Sequence, residues 1–404
     1  MMSKEKRRVP KLRFPGFTED WEQYRFNNLL KKNLERNDGK FNSNKTISIA
    51  RMKYNKLGNG ASDESLNNYK VLRFGDIAFE GHENKEFKYG RFVMNDIGDG
   101  IMSPRFTALR PIKVLDVEFW KEYINYEPIM QKKLVNSTKK GTMMHELVVD
   151  EFLKQEILLP SKEEQQKIGR LLKLQSNIIN LHQRKVEHLI LKKKALLQKL
   201  FPRNGNRYPD FRFPGFTAPW EQRKLSDVAD VRDGTHDSPK FYNDGFPLVT
   251  SKNLKGGSID FSDCSFISEQ DFNEINKRSK VDPGDILFGM IGTIGNPAII
   301  AHTGFAIKNV ALIKEGNIIN NRFIYHLLSS KVFENYIARE NAGGTQKFIA
   351  LNQIRNFDFL APTLVEQSKI IELLDCISQN ITLHQRKLEH LQIQKKSLLQ
   401  QLFV

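Results

Sequence analysis

With 404 residues and 39% hydrophobic content, the chain is long enough for two ordinary cores plus connecting helices, which excludes disorder throughout. The 63 Lys and Arg against 47 Asp and Glu leave a net charge of +16, a balance that favours a polyanionic partner without identifying one. Cys264 and Cys376 are too few for a disulfide framework or a zinc cluster, and no run approaches the ~18 consecutive apolar residues of a membrane span, so no membrane association and a cytoplasmic location are expected.

The first signal along the chain is the box Arg13-Phe-Pro-Gly-Phe-Thr18 with Trp21-Glu22-Gln23 behind it. Residues 24–155 then read as a mixed α/β globular domain. From Glu163 to Phe201 there is no proline and only Gly169, and steps of four and three trace a heptad seam through Leu172, Ile179, His182, Val186, Leu189, Leu196 and Leu200. Pro160-Ser161 and Glu163-Glu164 mark its start, and Pro202 and Gly205 its stop. At 1.5 Å per residue this is a rod of about 58 Å.

The pattern then begins again. The box returns at 212–217, an offset of 199, with Trp220-Glu221-Gln222 following it. Residues 223–357 carry strand-like runs at Asp285–Phe288 and Pro297–Ala301, glycine turns at Gly256-Gly257, Gly292 and Gly295, and a short helix from Asn321 to Ser329. Phe74-Gly-Asp-Ile77 against Pro283-Gly-Asp-Ile286 preserves a faint common frame. A second helix repeats the first at an offset of 202, LHQRK at 181–185 returning at 383–387, with its seam at Leu374, Ile377, Ile381, His384, Leu388, Leu391, Leu398 and Leu402. Thr363 and Glu366 after Pro362 read as a capping box. Both seams carry a polar His (182, 384) and a polar Lys (193, 395), the kind of interruption that sets register. The fold expected is α+β: a pseudo-twofold tandem repeat of two α/β domains separated by two long helices that pair as an antiparallel coiled coil. Its expected boundaries are 1–155, 156–204, 205–357 and 358–404.

No catalytic motif emerges. There is no phosphate-binding GxxxxGK[ST] loop, and Gly289, Gly292 and Gly295 have the wrong spacing for a dinucleotide turn. Asn296-Pro297 is followed by Ala298, so it is not the Asn-Pro-Pro-aromatic motif of amino-methyltransferases, and no histidines stand at metal-ligand spacing. No catalytic residue and no metal ligand is therefore assigned.

The polar content of the globular stretches suits DNA, because Arg and Lys reach phosphates and guanine edges while Asn and Gln pair with adenine. The candidates in the first stretch are Arg51, Lys53, Tyr54, His82, Asn84, Lys85, Lys88, Tyr89, Arg91, Ser103 and Arg105. In the second they are Arg232, Thr235, His236, Lys240, Ser251, Lys252, Asn253, Thr293, Asn296, Lys308, Asn309, Thr345, Gln346 and Lys347. The first long helix is itself basic, with nine Lys and Arg against three Glu over 163–199. From the residues alone, a DNA reader, a basic coiled-coil scaffold for proteins and an enzyme with an unfamiliar site all stand open.

The paired LHQRK helices, the apolar-Pro-x-x-x-Glu-Gln-x-Lys-Ile starts at 159–168 and 361–370, the Arg-Phe-Pro-Gly-Phe boxes, Asp233-Gly-Thr-His236 and Gly284-Asp-Ile-Leu-Phe288 together resemble the specificity subunit of type I restriction–modification enzymes. The likeness spans nearly the whole chain, although the first globular stretch lacks the Gly-Thr-His run. It implies two target-recognition domains, each reading half of a split double-stranded DNA sequence, joined by helices that act as a ruler and dock two modification subunits. It further implies that S-adenosylmethionine belongs to those partners, that ATP and Mg serve restriction subunits, and that this chain binds no cofactor.

Overall fold

Trp21 and Trp220 are almost fully buried, at 2% and 1% exposure, and each leads into the strand that begins a globular domain. The computed structural model describes residues 8–55, 58, 60–141, 144–203, 205–340 and 348–403. Its contacts divide the chain into two units, residues 1–183 with 386–404 and residues 184–385. This differs from the four regions expected from sequence: each globular domain takes half of each long helix into its own unit.

In the first unit, β1 (Glu22–Arg25) is followed by β2 (Leu30–Lys32), β3 (Ile77–Glu80), β4 (Arg91–Met94) and β5 (Thr107–Pro111). Strands β2 to β5 form an antiparallel sheet in the order β2-β5-β3-β4. All four residues of central β3 are buried, as a strand covered on both faces requires. Helix α1 (Val117–Tyr123) is capped by the Asp116 carboxylate, which accepts from the Phe119 N–H at 2.9 Å. Strand β6 (Glu156–Leu159) returns to pair antiparallel with β1 and runs into the first long helix, α2 (Lys162–Lys199).

The second unit repeats the plan with β7 (Glu221–Lys224), β8 (Val231–Asp233), β9 (Ile286–Gly289), β10 (Gly295–Ile299) and β11 (Val310–Ile313), the sheet running β8-β11-β9-β10. Helix α3 (Asn321–Leu328) follows, capped by Asn320, and β12 (Asp358–Ala361) pairs with β7 before the second long helix, α4 (Leu364–Leu402). The strands and short helix expected near 285, 297 and 321 are thus present.

Within each unit the long helices run antiparallel. In the first, the Gln175 amide donates to the Leu391 carbonyl at 3.2 Å. In the second, Leu200 shares one core with Ile370 and Leu374. Leu172, Val186, Leu189, Leu200, Leu374, Ile377, Leu391 and Leu402 are buried, while Ile179, His182, Leu196, Ile381, His384, Leu388 and Leu398 are half-buried. The Leu-Phe pairs do more than end the helices. Phe403 packs on Tyr123 at 4.7 Å between ring centroids, and Phe201 on Phe323 at 5.5 Å, so each rod end is anchored in an aromatic core.

The boxes close each unit by a long-range ion pair. The Arg13 guanidinium donates to both oxygens of Glu164 at 2.8 and 2.9 Å, and Arg212 to both oxygens of Glu366 at 2.8 and 2.8 Å. Both carboxylates are about 1% exposed, a burial that only a bidentate partner makes tolerable. This corrects the capping-box reading: the Glu366 N–H meets Thr363 Oγ at 3.5 Å, but its carboxylate turns to Arg212 and to the Trp220 indole instead of its own N-cap. Among the described residues no helix is long and apolar enough to cross a membrane, and no three His, Cys, Asp or Glu side chains converge as a metal site.

Candidate nucleic-acid interface

In the second unit the fold gathers three sequence-distant runs, 233–236, 250–253 and 307–309. Gly234 lies so close to the segment at 306–308 that a Cβ would meet the Ile307 carbonyl oxygen at 2.4 Å, and this fit lets the Thr235 N–H reach the same oxygen at 3.0 Å. Asn309 adopts φ +55°, beside the His236 ring. His236 Nδ1 stands 2.8 Å from Asn309 Oδ1 and Nε2 stands 2.9 Å from Asp233 Oδ2. Hydrogen bonding to Asp233 first, and to Asn309 second, raises the His236 pKa above its ordinary value. An imidazole between two acceptors is best satisfied when both nitrogens carry protons, so this half-exposed ring is a cation in waiting. Arg278, which the sequence reading missed, pairs with the other oxygen of Asp233 and brings a second exposed cation to the cluster.

The neighbours of that cluster divide into positioning and free groups. Asn253 and Ser251 are corrections to the contact set. Asn253 is 1% exposed, its Oδ1 accepting from the Thr250 N–H at 2.9 Å and its amide donating to the Asp260 and Asp263 carbonyls. Ser251 is 5% exposed and donates to the Asn309 carbonyl. Their polarity holds the turn together. Arg232 is tied to Asp230 and the Arg278 carbonyl, Lys252 to Asp263, and Lys308 to Ser238 Oγ at 2.8 Å. Thr235 is half-buried and accepts the Asp237 N–H. Lys240, over the Tyr242 ring, Thr293 and Asn296 are exposed, Asn296 at φ +51°. Thr345, Gln346 and Lys347 lie outside the described residues.

In the first unit, Arg91 ties a strand end to a turn. Its Nε donates to Glu80 at 2.7 Å and its Nη2 to the Ala50 carbonyl at 2.8 Å, holding the 49–54 turn against the end of β3. Arg91 is thereby a positioning group, and so is Tyr54, whose hydroxyl donates to the Asp99 carbonyl at 2.9 Å. The Asn84 side-chain oxygen accepts the Glu86 and Phe87 N–H groups, His82 lies 3.8 Å from Glu80, and Tyr89 stands edge-on to His145. His145, bonded to Glu83 at 2.7 Å, was also missed because it lies more than 60 residues from its partner. Arg51, Lys53, Lys85, Lys88 and Arg105 are exposed, and Ser103 is half-buried. The result is a pair of loops bearing exposed cations on a hydrogen-bonded frame, which suits phosphate contact with sequence-bearing side chains between.

Two copies of one α+β unit, each fastened to half of a helical pair, define a tandem specificity-domain architecture. The model of the type I restriction modification DNA specificity domain matches residues 18–190 and again residues 218–392. The chain belongs to this family and is the specificity subunit of a type I restriction–modification system. It is 24% identical over 293 residues to the type I restriction enzyme MjaVIII specificity subunit of Methanocaldococcus jannaschii, covering 69% of this chain and 68% of that one. It is 23% identical to the putative MjaX specificity subunit of the same organism over 94% of this chain and 92% of the other. The crystal structure of the type I restriction–modification S subunit from M. genitalium shares the fold with a TM-score of 0.57 at 14% identity, over 98% of this chain and 99% of that one.

Proposed function

We propose that each globular domain reads one half of a bipartite double-stranded DNA target, and that the long helices set the half-site spacing and dock two modification subunits. On this reading the chain catalyses nothing. S-adenosylmethionine serves the modification subunits, restriction subunits contribute ATP- and Mg-dependent work, and the complex acts in the cytoplasm. Exposed lysines and arginines set register on phosphates, while loop side chains select bases.

One observation carries the reading: the two units share sheet order, a neck made of the strand pair β1-β6 or β7-β12, and box ion pairs, yet differ in the loops that present free cations. Repeated scaffolding with diverged loops is what two readers of different half-sites require. Selection of bound sequences from random duplex DNA, with the modification subunits present, is expected to return two short blocks at one fixed spacing. A single block, or no consensus, would overturn it.

A further inference from the structure

The two domains sit on their rods through the same helix, with the charges exchanged. Helix α1 and helix α3 align by their caps, Asp116 with Asn320, and by Phe119 with Phe323, while the long helices align at the offset of 202. In the first unit the domain supplies the acids and the rod the bases: Glu118 meets Lys173 at 2.7 Å and Glu122 meets Lys395 at 2.7 Å. In the second, the position of Glu118 is taken by Arg322, that of Glu122 by His326, and that of Lys173 by Asp375. Asp375 pairs with Arg322 and accepts from His326 Nε2 at 2.8 Å, with Lys193, the counterpart of Lys395, close enough to feel its charge. His326 is fully buried, so this contact is no solvated surface pair.

Shape repeats the message. Gly169 lets α1 approach so closely that a Cβ there would meet the Phe119 amide nitrogen and Asp116 Oδ1, each at 2.8 Å. The equivalent rod position in the second unit is Ile371, 9% exposed and part of that unit's core.

We propose that these residues form a key that assigns each globular domain to its own half of the rod. Placed on the wrong half, the first domain would bring Glu118 to Asp375 and its helix backbone onto Ile371, with Glu122 alone keeping a lysine, Lys193, and the second would bring Arg322 to Lys173. Attraction on the right half and repulsion on the wrong one together make a specific fit. The order of the two readers along the ruler is then written into the scaffold. The proposal stands apart from DNA reading, since it concerns only how each domain seats.

The test grafts residues 22–159 in place of 221–361 in the full chain, on the native second rod and on a rod carrying Asp375→Lys and Ile371→Gly. Hydrogen exchange of the grafted 117–123 helix is expected to be at least ~10-fold slower on the altered rod, where one like-charge contact is replaced by an attractive one and the Ile371 side chain no longer blocks the helix backbone. The native second domain on that same altered rod should lose protection, a reciprocal change that a weakened helix alone does not give. A second series needs no graft: Asp375→Lys should open the 321–328 helix, and adding Arg322→Glu with His326→Glu should restore it. Equal protection of the graft on both rods, protection on neither, or a triple variant as open as Asp375→Lys would overturn the key.

Discussion

The two units share a frame and stabilise its charged interior differently. In the first, Arg110 bonds Asp76 at 2.8 Å and Glu35 at 2.8 Å, and Arg73 joins Glu35 to Asp99, making a net of planar forks. In the second, Lys314 bridges Asp282 at 2.7 Å and Asp285 at 2.5 Å, and Lys280 stands 3.7 Å from the other oxygen of Asp282. Asp76 and Asp285 are the aspartates of the shared Gly-Asp-Ile run, 2% and 1% exposed, so the repeat preserves a buried carboxylate and leaves the choice of cation open. The boxes differ likewise: Glu366 holds Arg212 and the Trp220 indole, whereas the buried Trp21 indole nitrogen has no partner. Backbone geometry and buried acids repeat, then, while their partners drift and the exposed loops drift furthest.

Exchange of residues 24–155 for those of a relative should break the comparison most sharply. It is expected to change one selected half-site completely and leave the other intact, checked by sequencing bound DNA; change in both blocks would contradict separate readers. Next come the box carboxylates. Glu366→Ala strands Arg212 and Trp220 and should cost about 3–5 kcal/mol, with Glu164→Ala nearer the lower end because no indole is orphaned, measured by denaturant unfolding. Acid separates the units again. Hydrogen bonding from Arg73 first, and Arg110 after it, lowers the Glu35 pKa from 4.5 to about 2. Its stabilising contribution is complete above 4.5 and is lost as pH falls towards 2, so Glu35→Gln should flatten the acid unfolding of the first unit over that window. Lys85→Ala and Lys88→Ala should each weaken binding to any duplex alike and reduce the salt slope by about 0.9, as one lost phosphate contact does. The smallest effect concerns His236. Hydrogen bonding to Asp233 first, and Asn309 second, raises its pKa above 6.5, so its charge is full below 6.5 and is lost as pH rises through that raised value, and His236→Gln should remove a modest weakening of DNA binding as pH rises above 6.5.

The periodic features were legible in the sequence because they are local. The rods, their seams and the strands at 285 and 297 each announce themselves within a window of about twenty residues. Arg13 and Glu164 are 151 residues apart, so neither could be read as the other's partner, and Glu366 was assigned to the nearest N-cap for the same reason. Polarity misled at Asn253, since a buried turn and a DNA contact ask for the same amide and only burial separates them. The charge exchange between Lys173 and Asp375 is visible as letters, but only their partners across the fold give it meaning.

The necks have a consequence of their own. Glu22 faces Leu159 and Glu221 faces Ala361, so each globular domain leaves and rejoins its scaffold through two adjacent strands. A segment whose ends lie side by side is topologically a bead on a clasp: it can be cut out and replaced by another of different length without moving either rod. Whole globular domains can therefore be exchanged at two breakpoints, and the side chains on which the bead comes to rest are what such an exchange has to match.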